Sequence, residues 1–111
     1  MMEYEVRVTP QASDQLYEYA RYIQDELLNP QAARKLVGDI RKAIKELGKL
    51  PRRHSLTEEE PWRGMGVRKA VVRGYLVYFW IDEGNSIVHV VAIVYERRDQ
   101  ANQLSQVDFD W

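Results

Sequence analysis

Tyr4, Val6 and Val8 alternate with Glu5 and Arg7 at the start of the chain. This period of two belongs to a half-buried strand and predicts one over 4–9. Thr9-Pro10 ends it and opens a helix, with Thr9 or Ser13 able to cap and Pro10 tolerated in the first turn, where an N–H has no partner. Leu16, Tyr19, Ala20, Ile23 and Leu27 then recur at three and four residues, an amphipathic stripe that runs to about Leu28. Asn29-Pro30 is a turn signal. A second stripe, Ala33, Leu36, Val37, Ile40, Ile44 and Leu47, predicts a helix from Pro30 or Gln31 to about Leu47, with Gly48 as its C-cap. The short connection makes the two helices an antiparallel hairpin.

From Pro51 to Gly66 periodicity is lost, and two prolines, two glycines and Glu58-Glu59-Glu60 read as one long loop, a length that often carries function. Val67 to Val72 and Tyr75 to Ile81 read as strands joined at Arg73-Gly74. The segment 82–86 has hairpin-turn chemistry, and Ile87 to Tyr95, apolar except for His89, suits a central strand covered on both faces. The predicted fold is α+β in the order β-α-α-β-β-β: an N-terminal strand, the helical hairpin, and a three-stranded antiparallel meander, with the hairpin on one face of an antiparallel sheet. One domain over 1–111 is expected, with 103–111 a flexible tail.

The net charge of −1 hides a strong polarity. Residues 1–30 hold two basic and six acidic side chains (net −4), residues 31–73 twelve and five (net +7), and residues 74–111 two and six (net −4). Such a field draws phosphate or an acidic protein surface to the middle of the chain. Its carriers, Arg34, Arg41, Lys45, Arg52, Arg53, Lys69 and Arg73, together with Arg97 beyond the last strand, are the candidate contacts for a partner or target. The helix lysines and arginines also fit a face made polar for solubility, and Arg68, Lys69 and Arg73 also fit the solvated side of an edge strand. There is no cysteine, so disulfides and thiolate metal sites are excluded. The two isolated histidines give no metal-ligand spacing, and neither a metal nor another cofactor is expected. His89 reads as a hydrogen-bonded core histidine, and Tyr75 and Tyr78 fall on opposite faces by alternation. No apolar run approaches the roughly 18 residues of a membrane span, and charges at Glu3, Glu5 and Arg7 do not suit a signal peptide, so a cytoplasmic protein without membrane contact is expected.

Several short motifs, in order and at consistent spacing, resemble the RelE/ParE toxin superfamily. They are Tyr4-Glu5-Val6-Arg7-Val8-Thr9-Pro10-Gln11-Ala12, Asn29-Pro30-Gln31-Ala32-Ala33, Leu50-Pro51, Gly66-Val67-Arg68-Lys69, Gly74-Tyr75-Leu76-Val77-Tyr78-Phe79 and Arg97-Arg98-Asp99. The resemblance implies a toxin held inactive by a co-expressed antitoxin. Relatives of the RelE branch cleave messenger RNA at the ribosome, and relatives of the ParE branch inhibit DNA gyrase. For a ribonuclease, it places Arg68 and Arg98 at basic positions that would act in catalysis. Yet the next lysine position is Ala70, the following arginine position Leu76, the tyrosine region Gln103-Leu104, and Trp80 stands where relatives often carry arginine. These departures favour a gyrase-type inhibitor over a ribosome-dependent endoribonuclease with a rearranged site, and leave open a degenerate toxin kept for antitoxin binding. The partners implied are a cognate antitoxin, gyrase or the ribosome with its mRNA, and a second copy in a homodimer.

Overall fold

The structure, a computed structural model, describes residues 3–96. The expected tail over 103–111 and the candidates Arg97 and Arg98 lie outside the described residues. The elements are β1 (Glu5–Val8), α1 (Pro10–Asp25), α2 (Pro30–Glu46), a 3-10 turn over Pro51–Arg53, β2 (Arg68–Val72), β3 (Tyr75–Asp82) and β4 (Ile87–Tyr95). The order matches the periodicity.

Thr9 is the cap of α1, its hydroxyl accepting from the Ala12 N–H at 3.1 Å. The helix stops at Asp25, three residues before the expected end. Leu28 turns into the left-handed region (φ 51°), and the Asn29 side chain caps α2 by accepting from the Ala32 N–H at 3.1 Å. Gly48 follows the capping residue Leu47 but makes no left-handed cap, since among the described glycines only Gly66 and Gly74 have positive φ. Close approach explains the glycine: a Cβ at Gly48 would sit 2.7 Å from the Tyr4 carbonyl oxygen, where the chain enters β1, and Tyr4 N–H donates to the Gly48 carbonyl at 2.9 Å.

The sheet order is β1-β4-β3-β2. The meander is antiparallel as expected, but β1 lies parallel to β4, with Val6 opposite Val88, so the sheet is mixed rather than antiparallel. The helical hairpin is the crossover that returns the chain to pair in this sense. Leu16, Leu36, Ile40 and Ile44 pack on Val77, Phe79, Val88, Val90 and Ile93 to form the main core. The opposite face carries a second cluster, Val67, Leu76, Tyr78, Val91, Ala92 and Val94, with Trp62 and Trp80 packed against it. The central strand β4 is thus buried on both faces, as its unbroken apolar run predicts.

Val91 is an extra residue in β4, since Phe79 pairs with Val90 and Tyr78 with Ala92. Helix α1 satisfies the disturbed backbone around it. The Thr9 hydroxyl donates to the Val91 carbonyl at 3.4 Å, and the Gln15 amide oxygen accepts from the Ile93 N–H at 2.8 Å. Among the described residues no helix is long and apolar enough to cross a membrane.

Candidate functional site

The stretch expected as one long loop opens on the 3-10 turn and is held by hydrogen bonds along much of its length. Beyond the 3-10 turn it runs back along the outer edge of β2, where Thr57 N–H donates to the Val67 carbonyl (2.9 Å), Lys69 N–H to the Ser55 carbonyl (3.1 Å), and Leu56 bridges to Arg68. A row of turn hydrogen bonds then closes 59–66. This covers one margin of the sheet. The other margin, β1, pairs on one side with β4, and parallel geometry turns the N–H and C=O groups of Val6 and Val8 outward. Val8 is 40% exposed.

The candidate cations separate into zones. Arg34, Arg41 and Lys45 lie exposed on α2, where Arg41 sits over the Tyr17 ring at 5.4 Å. Two grooves follow the β1 margin, one of about 420 Å³ reached by Tyr4, Val6, Arg41 and Lys45, the other of about 200 Å³ reached by Val8, Tyr17 and Arg41. Arg73 is held by Asp39 of α2 at 2.7 Å, so it ties the β2–β3 turn to the helical layer. Lys69 points to the far face of the sheet, opposite Tyr78 and beside Glu59. There the Thr57 hydroxyl donates to Glu59 and holds its carboxyl below the usual range, while burial pushes the Tyr78 phenol up.

Arg52, Arg53, His54 and Arg68 meet at the end of the sheet under the 3-10 turn. Arg68 shares the helix-side face with Ala70 and donates to the carbonyls of His54 (2.6 Å) and Arg52 (3.4 Å). It holds the turn. Arg52 pairs with Glu83 of the β3–β4 turn at 2.8 Å, and Glu83 also accepts from the Tyr4 hydroxyl at 3.0 Å. These hydrogen bonds, that from Arg52 first, lower the Glu83 pKa. Nothing in the local sequence pattern marks this link, which joins three segments far apart in the chain. His89, read as core, is part-buried, stacks on Trp80 at 4.5 Å, and faces Asp82 with Nε2 3.9 Å from the carboxylate.

His54 sets its ring edge against Phe79 at 5.7 Å. Burial first, then Arg53 and Arg68, lower its pKa. The unfolded chain therefore takes up the proton more readily than the folded one, and stability is lost as pH falls through the ordinary histidine value near 6.5. We expect the urea midpoint to drop between pH 7.5 and 5.5, and His54→Phe, which keeps the aromatic contact, to flatten that drop. An unchanged slope in the variant would remove His54 as the cause.

The comparisons identify the class to which this β-α-α-β-β-β domain belongs. A family model described as the ParE toxin of the type II toxin–antitoxin system parDE matches residues 6–100, so the chain belongs to that family. It is a toxin of a type II toxin–antitoxin system. Its fold is similar to one in the chromosomal ParDE TA system of P. aeruginosa (TM-score 0.68, 20% identity, 84% of this chain and 96% of that one). It is also similar to one in the toxin–antitoxin complex RelBE2 of Mycobacterium tuberculosis (TM-score 0.60, 20% identity, 85% and 99%). No curated protein is similar at a significant level.

Proposed function

We propose that this toxin acts by binding and blocking a macromolecular target of the DNA gyrase type, without catalysis of its own, and that a cognate antitoxin neutralises it. The observation that carries the reading is that, among the described residues, Arg68, Lys69 and Tyr78 do not converge on one site. Phosphate cleavage requires a base, an acid and cations converging on one phosphate. Here Arg68 is engaged with backbone carbonyls on the helix side, while Lys69 and the buried Tyr78 lie on the other face. Exposed Arg52 and Arg53, framed by Arg68, form a cationic corner suited to docking on an acidic surface. Supercoiling by purified gyrase, assayed beside translation in a cell-free system, is the test. Inhibited supercoiling with normal translation is expected; mRNA cleavage with normal supercoiling would replace this reading with the ribonuclease one.

The antitoxin is proposed to bind as an extended or helical segment across the margin of β1, which pairs with no further strand among the described residues, and the basic face of α2. Outward backbone groups at Val6 and Val8 offer strand pairing, and Arg34, Arg41 and Lys45 offer charge. Reversing these three charges together is expected to weaken the complex at least about tenfold and flatten its salt dependence. Unchanged affinity and salt dependence would refute the electrostatic part.

A further inference from the structure

Three large apolar side chains stand exposed where α1 gives way to α2: Tyr22 and Leu27 at 57% each and Leu28 at 81%. Asp25 and Glu26, also exposed, lie among them. Leu28 holds a left-handed backbone (φ 51°), a conformation that disfavours any side chain with a Cβ and that glycine or asparagine takes more readily. The tip of the helical hairpin thus displays a leucine to solvent where its own backbone would prefer another residue.

The far end of α2 repeats the combination with the opposite charge. Leu50 is the other left-handed leucine among the described residues (φ 49°), it is 58% exposed, and it stands between Lys49 and the Arg52-Arg53 pair. The 17 residues of α2 put the two leucines about 25 Å apart at opposite ends of the helix. Exposed apolar groups rimmed by charge mark an interaction surface, and their removal from water favours contact. Each end supplies what the other lacks: carboxylates at the tip and cations around Leu50. Two tips together, or two Leu50 ends, would set like charges against each other. Arg21 and Arg34, the cations nearest the tip in the chain, line the groove between the helices.

We propose that the toxin assembles head to tail with further copies of itself, Asp25, Glu26 and Leu28 of one copy seated on Lys49, Leu50 and Arg53 of the next. Because the two patches differ and face opposite ways along α2, the contact is heterologous and builds a row of copies rather than a symmetric dimer. Arg53 belongs to the corner assigned above to the target, so a copy held in the row has that corner covered. This consequence alone rests on the target reading.

The experiment follows purified full-length toxin by sedimentation velocity over a wide range of concentration at low and high salt. The wild type is expected to grow beyond two copies with concentration and to dissociate as salt rises. Leu28→Asn should keep at least the wild-type thermal midpoint, since asparagine tolerates the left-handed backbone, and associate at least about tenfold more weakly. Asp25→Lys with Glu26→Lys, and Lys49→Glu with Arg53→Glu, should each sediment as monomers with an intact circular dichroism spectrum. Mixed together, the two reversed proteins should associate again, because the reversed tip of one matches the reversed Leu50 end of the other. A wild type that stays monomeric at every concentration overturns the proposal. Association that both reversals leave unchanged overturns it in favour of another surface between copies, and a dimer that the tip reversal abolishes and the mixture does not restore overturns it in favour of a symmetric contact. Assembly as described, with gyrase supercoiling unaffected by the toxin, sinks the target reading and leaves the head-to-tail contact standing.

Discussion

Phe79→Ala is expected to cost about 3–5 kcal/mol, a large share of the roughly 5–15 kcal/mol that holds a domain of this size together. Phe79 is fully buried at the centre of β3, on the face that receives the helices, and its ring also supports His54. Truncation removes the hydrophobic contribution of the ring and leaves a cavity between layers fixed by the β2–β3–β4 hydrogen bonds, which limit collapse. Phe79→Leu, which refills most of the volume, should cost less than half as much. Urea unfolding followed by circular dichroism checks both. A midpoint in Phe79→Ala close to that of the wild type would mean that Phe79 is not the keystone between the helical layer and the 3-10 turn.

That Phe79 is buried was legible, because β3 and β4 are dense in aromatic and β-branched residues. Helix stripes and strand alternation likewise set the element order. The neighbours of β1 were not legible, since alternation tells which residues share a face but not which strand lies alongside. Pairing of Val6 with Val88 is a contact between the two ends of the fold, set by how the helical hairpin lies across the sheet. Gly48 shows the same limit. Its position after a helix suggests a cap, and its actual constraint comes from the backbone of Tyr4.

The candidate site was legible as charge and not as geometry. The +7 middle third identified the cations, but Arg68 and Lys69, read together as the solvated side of an edge strand, fall on opposite faces of the sheet. That Arg68 faces the helical layer follows only once Ala70 and Val72 are seen packing with the main core. Its hydrogen bonds to the carbonyls of Arg52 and His54 depend on where the 51–57 segment turns, which composition leaves open.

Arg68→Ala is expected to cause the largest functional loss among the described cations. The guanidinium fixes the carbonyls of Arg52 and His54, so its removal releases the corner that presents Arg52 and Arg53. Two hydrogen bonds from a charged donor at a part-buried site contribute about 1.5–3 kcal/mol, enough to loosen the turn without unfolding the domain. Arg68→Lys keeps the charge, but both carbonyls are reached by a single guanidinium nitrogen, Nη1, at the end of a longer side chain, so the shorter lysine should recover only part of the function. Arg53→Glu leaves the frame intact while reversing the charge it presents. If the corner docks a protein target, both Arg68→Ala and Arg53→Glu should shift growth arrest to higher inducer levels, and excess toxin should restore it. If Arg68 instead stabilises a cleaved phosphate, Arg68→Ala should cut RNA cleavage about a hundredfold, a loss that added toxin does not repair. Growth arrest at the wild-type inducer level in both variants, with folding verified, would remove this corner from the target surface and leave the far face of the sheet, with Lys69 beside Glu59 and His89 on Trp80, as the region to test.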